Sequence, residues 1–435
     1  MNGATTLLVG GSREDNLFQI DGLEEHLDRL AAAGGNYIRN TMSDRDEGDV
    51  YPFAQITDGP DAGKYDLEQW NPEYWNRFAR LLKLCRDREI IVQIEVWDRF
   101  DVSCEPYERS PWNPANNVNY DPASSGLATE YAAHPSRNEQ PFFHTVPSMD
   151  DNQTVCRYQE RFVDKLLSIS LEYPNVLYCM NNETHEDPAW GKYWMEHIRK
   201  RAREAGVNVW ATDMFDGPWE RSIPPAVIDQ FRNPATYPFI DVSQINAWRC
   251  TTLQHRKNLR ELAELNRDPV RPLNCTKVYN SDTLHDQSAP RHTDRDGITA
   301  FWLNLLGGIA AVRFHRPPHG LGLSDKAVAS IRAARLVEEY VRFWDLAFEF
   351  DWTGGRAPDE AFLSRAEQGV SLVLLPKGGR FTAGSPIPAG GCEIRFLDIV
   401  AGAWQPARTR ELSEDTVVEA PDDGIWLAMI CPVRP

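Results

Sequence analysis

At 435 residues the chain is too long for one ordinary domain and suits a barrel with an accessory domain. A hydrophobic content of 42% supports a large core and excludes a disordered chain. Acidic side chains number 64 against 46 basic ones, a formal charge of −18, which argues against nucleic acid or an anionic membrane as the main partner.

A strand-then-helix alternation runs from the start. Thr5–Val9 is a short apolar strand closed by Gly10 and Gly11. Leu23, Leu27 and Leu30 fall on one face of a helix over 21–33, ended by Gly34 and Gly35. Asn36–Asn40 is the second strand, and a helix over 70–87 starts at Asn71-Pro72. Ile90–Val96 is the third strand, followed by an insertion from Trp97 to about Pro147 that is too long for a plain connector. Then come a helix over 151–173, a strand over 175–180, a helix over 188–205 and a fifth strand over 207–212. Strands over 239–243, 272–278 and 309–314 follow, with helices over 252–266, 296–306 and 325–343. Eight such units predict an α/β (β/α)₈ barrel over residues 1–350. An open doubly wound sheet normally carries a Gly-rich phosphate loop after strand one, and Gly10-Gly11-Ser12 is too short for that. From Ala361 onward, apolar runs at 370–375, 393–397 and 425–430 are split by Gly, Pro and Asp. This predicts a small β-sandwich over 351–435.

Eight Cys are scattered without zinc-type spacing, and spacing leaves a pairing of Cys104 with Cys156 open. No secretory leader pattern is visible, so the sequence as it stands reads as cytosolic, or secreted or periplasmic if a leader was removed. No apolar run is long enough to span a membrane. No catalytic metal and no cofactor are expected. Oligomeric state is not legible.

In such a barrel, working residues sit where strands end. Strand two ends at Arg39-Asn40, and strand three at Glu95 with Trp97 and Asp98. Strand four ends at Asn182 and Glu183, and strand five at Asp213 with Asp216 beyond. Strand six leads to Asn246 and Trp248, strand seven to Lys277 and Tyr279, and strand eight to His315 and Arg316. Carboxylates, amides, cations and aromatic rings around one mouth fit glycosidic bond cleavage, which needs an acid for the leaving oxygen and a second carboxylate. Trp97, Trp112 and Trp248 are sugar platforms or loop anchors. Glu95 is paired with a cation such as Arg39, or functional, or both.

Leu177-Tyr178-Cys179-Met180-Asn181-Asn182-Glu183 resembles the strand-four signature of clan A (β/α)₈ glycoside hydrolases, which include the cellulase-like family 5. The stretches Leu27–Asn40 and Ala311–Pro318 are similar to cellulase-like glycosidases. Phe396-Leu397-Asp398 and Gly424–Leu427 resemble the collagen-binding type of small β-sandwich that follows such barrels. The resemblance implies a glycoside hydrolase acting on a poly- or oligosaccharide. Glu183 would be its general acid/base, Asn182 a ligand of the sugar 2-hydroxyl, and Arg39 the strand-two arginine. Clan A places its nucleophilic Glu at the end of strand seven, where this chain has Lys277. Asp213, Asp216, Glu95 and Asp98 are the candidates for a replacement, with Asp213 and Asp216 assigned to catalysis. Arg39, Asn40, Glu95, Trp97, Asp98, Asn182, Trp248, Lys277, Tyr279, His315 and Arg316 are assigned to substrate. Lys277, with Arg39, His315 and Arg316, also points to an anionic sugar, sulfated or uronic. The alternatives are a non-catalytic carbohydrate-binding barrel, and a polysaccharide lyase with Tyr279 or His315 as base.

Overall fold

The structure is a computed structural model and describes residues 5–133, 140–185 and 187–433. Eight parallel strands make the barrel: β1 (Leu8–Gly11), β2 (Tyr37–Thr41), β3 (Ile91–Asp98), β4 (Val176–Asn182), β5 (Ala211–Thr212), β6 (Ile240–Asp241), β7 (Leu273–Val278) and β8 (Ala311–Phe314). Pairing runs β5-β4-β3-β2-β1-β8-β7-β6. Between β5 and β6, the Thr212 hydroxyl donates to the Phe239 carbonyl at 2.9 Å and all but closes the ring.

Outside it lie α1 (Leu23–Ala32), α2 (Pro72–Arg86), α3 (Gln153–Ser170), α4 (Ala189–Glu204), α5 (Pro225–Arg232), α6 (Thr252–Leu265), α7 (Asp294–Leu306) and α8 (Asp325–Glu338). Side-chain caps from Asn71, Asn152, Thr251, Thr293 and Ser324 satisfy amides that would otherwise be orphaned at helix starts. The sequence did not predict α5. Its 8 residues, opened by Pro224 and Pro225, are too few to show a helical period. The predicted strands over 207–212 and 239–243 shrink to two residues each.

The barrel interior is polar and hydrogen-bonded. The Tyr37 hydroxyl lies 3.0 Å from Gln93 Oε1 and 2.9 Å from Asn274 Oδ1. Arg313 donates to the Ser12 hydroxyl at 2.6 Å and to the Thr276 carbonyl at 2.7 Å. Buried polar groups cost stability unless paired in this way. The insertion after β3 is anchored by rings rather than left open: Trp97 packs 6.2 Å from Trp112, 5.8 Å from Phe142 and 5.2 Å from Trp194.

The C-terminal strands are β9 (Leu346–Phe348), β10 (Phe362–Ala366), β11 (Ser371–Leu375), β12 (Arg380–Thr382), β13 (Gly390–Asp398), β14 (Ala403–Trp404), β15 (Arg408–Leu412), β16 (Val417–Glu419) and β17 (Trp426–Pro432). All but β12 and β16 join one antiparallel sheet; those two pair with each other. The first strand of the large sheet thus begins a few residues before 351. Both faces of that sheet are covered, which explains its unbroken apolar runs. Leu372, Leu374, Leu427 and Met429 point into the barrel's core, whereas Val373, Leu375, Ala428 and Ile430 join a second core with Phe381 and Val418 of the small sheet. Helix α7 lies between barrel and sheet and is buried at every position from Gly297 to Leu306, which is why its sequence is apolar all round. Arg256 crosses the seam and donates to the carbonyls of Phe350, Pro358 and Trp352.

All eight Cys are free, Cys104 and Cys156 included. Among the described residues no helix is long and apolar enough to cross a membrane, and no His, Cys, Asp and Glu cluster is arranged to hold a metal ion.

Candidate active site

A cavity of about 580 Å³ opens at the C-terminal ends of the strands. Glu183 enters it directly after β4 with a φ of 61°, a left-handed backbone that costs a non-glycine residue about 1 kcal/mol or more. Such strain persists where neighbours fix it, and here three side chains do. Lys277 Nζ, near the end of β7, donates to Glu183 Oε1 at 2.5 Å, and Gln244 Nε2, beyond β6, donates to the same oxygen at 2.8 Å. The Tyr279 hydroxyl lies 3.2 Å from that oxygen and 3.0 Å from Gln244 Oε1. Lys277 also donates to Asn182 Oδ1 at 2.7 Å, while Asn182 Nδ2 donates to Asp98 at 3.1 Å.

Burial alone would push the Glu183 carboxyl up, but the Lys277 ammonium outweighs it and holds the group down to about 2. Asp216 moves the other way. A β-bridge between Thr184 and Phe215, and a 2.9 Å bond from Asp216 N to Thr184 O, bring its backbone beside Glu183. Burial and the negative charge of Glu183 raise its carboxyl above the usual range. The cavity therefore holds two acidic side chains whose affinities for a proton are pushed apart.

The remaining predicted residues divide. Asn182, Trp248, Lys277, Tyr279, His315 and Arg316 line the cavity with Glu183 and Asp216. Arg39, Asn40, Glu95, Trp97, Asp98 and Asp213 do not. Asp213 is buried behind β4, where it accepts from Asn181 N at 3.1 Å, Asn181 Nδ2 at 2.9 Å and Met214 N at 2.9 Å. Arg39 sits between Asp15 at 2.5 Å and Glu95 at 2.6 Å, all three buried, so Glu95 does take Arg39 as its partner. Asn40 Oδ1 accepts from Phe18 N at 3.0 Å, and Asp98 pairs with Arg45 as well as Asn182.

Asp15, in the loop after β1, is a hub that sequence reasoning missed. Against the cost of burial, Arg39, Arg316 and Arg45 hold its carboxyl well below the usual range. Arg316 Nε lies 2.9 Å from it and His315 Nδ1 3.6 Å. Burial keeps His315 well below the usual imidazole range, hence neutral. None of the four cations expected to meet an anionic sugar is thus available: Lys277, Arg39 and Arg316 are neutralised by carboxylates, and His315 carries no charge. Gln244, Arg45 and Arg249 also line the cavity without having been singled out; Gln244 and Arg249 flank the Asn246 and Trp248 positions that were.

No family model and no curated protein matches the chain. Solved structures do. A glycoside hydrolase family 5 protein from Bacteroides vulgatus superposes with a TM-score of 0.64 at 11% identity, over 99% of this chain and 90% of the other. A protein described as a glycoside hydrolase gives 0.61 at 10%, over 99% and 94%. An alpha-amylase from H. orenii gives 0.57 at 13%, over 98% of each chain. The chain has the fold of these glycoside hydrolases, a (β/α)₈ barrel followed by β-sheets. The collagen-binding type of the C-terminal sheets is not among what these likenesses show.

Proposed function

We propose that the chain is a glycoside hydrolase acting on a poly- or oligosaccharide, with Glu183 and Asp216 as its carboxylate pair. The observation that carries this reading is geometric: both carboxyls line one cavity, and the Lys277 ammonium lies 2.5 Å from Glu183, which favours an ionised Glu183 as base or nucleophile, whereas burial and that neighbouring carboxylate favour a protonated Asp216 as the acid. The roles are therefore redistributed relative to the resemblance. Asp216 gives its proton to the bridging oxygen as the bond to the anomeric carbon breaks. Glu183, ionised, supplies the negative charge, either to the anomeric carbon or by taking a proton from the attacking water. Lys277, at the strand-seven place of the clan A nucleophile, holds Glu183 in that state and Asn182 beside it. Asn182 and Gln244 present amides to sugar hydroxyls. The C-terminal sheets, taken as an accessory domain over 351–435 on a barrel over 1–350, brace the barrel.

A barrel that binds sugar without cutting it is favoured by the same ion pair, since an ammonium on Glu183 weakens it as a nucleophile. A lyase is less well supported: burial and the Glu183 charge raise the Tyr279 phenol well above its usual range, and His315 is turned to Asp15.

Aryl glycosides separate the roles. Asp216→Asn should lose about 10²–10⁴-fold on poor leaving groups and recover on dinitrophenyl glycosides, which need no proton. Glu183→Gln should lose activity on both. Near-full activity in both variants, or no turnover of any glycoside by the parent protein, would remove the hydrolase reading.

A further inference from the structure

Four cations line the cavity, and three are spoken for. Lys277 is on Glu183, Arg45 on Asp98 and Asp15, and Arg316 on Asp15 and Glu14. Arg249 is the fourth. Among the described residues no carboxylate pairs with it; its guanidinium rests 5.7 Å from the centre of the Trp248 ring. Two imidazoles flank the same ring, His285 and His319, each at 5.7 Å and 4.9 Å from one another. Tyr279 stands between this wall and the carboxylates, 5.1 Å from Trp248 on one side and touching Glu183 on the other. The cavity thus carries Glu183, Asp216 and Glu220 among its lining residues and, beside Trp248, a cluster of hydrogen-bond donors in which Arg249 makes no ion pair among the described residues; Asp286, held down by Ser288 and more weakly by His285 and Arg249, is the carboxylate nearest in effect, and burial brings the His319 imidazole down to about 4, so it acts as a neutral donor.

We propose that Arg249, with His285 and His319, receives an anionic substituent of the sugar, a uronate carboxylate or a sulfate ester, bound beside Trp248. A guanidinium matches either oxyanion in a bidentate fork, and cation–π contact with Trp248 holds it in place without consuming its donors. The proposal rests on the reading that the cavity takes carbohydrate, but does not need the bond to be cut. It makes Arg249 a specificity residue.

The test is isothermal titration of the parent protein, Arg249→Ala and Arg249→Lys with oligosaccharides of equal length in three sets: neutral, uronate-bearing and sulfated. One anionic set should bind at least about tenfold more tightly than the neutral set, the scale of one partly exposed charge-assisted pair. The preference should disappear in Arg249→Ala, weaken but persist in Arg249→Lys, which keeps the charge without the fork, and shrink as salt is raised. Which anionic set is preferred identifies the substituent. Equal binding of neutral and anionic sets, a preference untouched in Arg249→Ala, or no binding of any set would overturn the proposal. Product analysis on the same samples keeps the two readings apart. Anionic binding without cleavage removes the hydrolase and leaves this inference, whereas cleavage of neutral glycans that Arg249→Ala does not change does the reverse.

Discussion

Replacing Lys277 by Met tests the charge logic of the site most directly. Met keeps the length and apolar stem of the lysine and removes the ammonium that lies 2.5 Å from Glu183 Oε1. The Glu183 side chain is 19% exposed, so solvent screens the pair only weakly. Holding its carboxyl at about 2, against the ordinary 4.5, corresponds to about 3 kcal/mol in favour of the carboxylate. That lies at the lower end of what removing one partner of a buried ion pair costs, about 3–5 kcal/mol. The sign follows from linkage. A carboxyl depressed in the folded state contributes stability above its unfolded value, and loses it as the pH falls from 4.5 through about 2. In Lys277→Met the order reverses: burial dominates, the carboxyl rises above 4.5, and its ionisation works against folding. The stability gap between the two proteins should therefore be widest near pH 7, at least about 3 kcal/mol or roughly 3 °C in melting temperature for a chain of this size. It should narrow steadily as the pH falls towards 2. Thermal melts across pH, with Glu183→Gln and the double variant completing a cycle, measure both. A gap that does not change with pH, or a cycle without coupling, would refute the claim that Lys277 fixes the charge of Glu183. In activity, the parent protein should show no acid limb until about pH 2 is approached, and the variant one well above pH 4.5.

Asp213→Asn should lower stability by about 1–3 kcal/mol while leaving activity per folded molecule largely intact, because it places an amide donor against the donors of Asn181 and Met214 outside the cavity lining; melts and active-site-normalised rates check this. Arg256→Ala should cost about 3 kcal/mol by leaving the carbonyls of Phe350, Pro358 and Trp352 without their shared donor at the seam. Limited proteolysis should then release the C-terminal sheets before the barrel is cut.

Much of the barrel was legible because each strand is a short apolar run set between helical periods, and each of the eight was located within a few residues. What failed was length: β5 and β6 are two-residue strands and α5 is an eight-residue helix, below what periodicity resolves. For the site, reading the ends of strands found Glu183, Lys277, Tyr279 and Asp216, since those positions face the mouth in any such barrel. It started at strand two and so passed over Asp15, although the loop after β1 opens on the same mouth. It also treated every strand-end residue as a cavity residue. Arg39, Glu95 and Asp213 show why that overreaches: side chains alternate along a strand, and a buried charge is first of all a demand for a partner.

Partner choice is also what sequence order conceals. Lys277 and Glu183 are 94 residues apart and meet because β4 and β7 face one another across the mouth of an almost closed ring. Nothing in either motif announces the contact, yet it reverses the consequence drawn from each alone: a lysine read as a free anion receptor is spent on a carboxylate, and a glutamate read as a proton donor is held ionised. Asp15 does the same for Arg39, Arg45 and Arg316 on the opposite side of the mouth. Once both neutralisations are made, Arg249 is the one lysine or arginine of the cavity lining without an ion pair among the described residues, while Asp216 and Glu220 lie 3.9 Å from His185 and 3.8 Å from Arg221. On the proposal that Arg249 receives an anionic substituent, substrate preference in this cavity is set by loop residues rather than by the strand-end residues that resemble a known family.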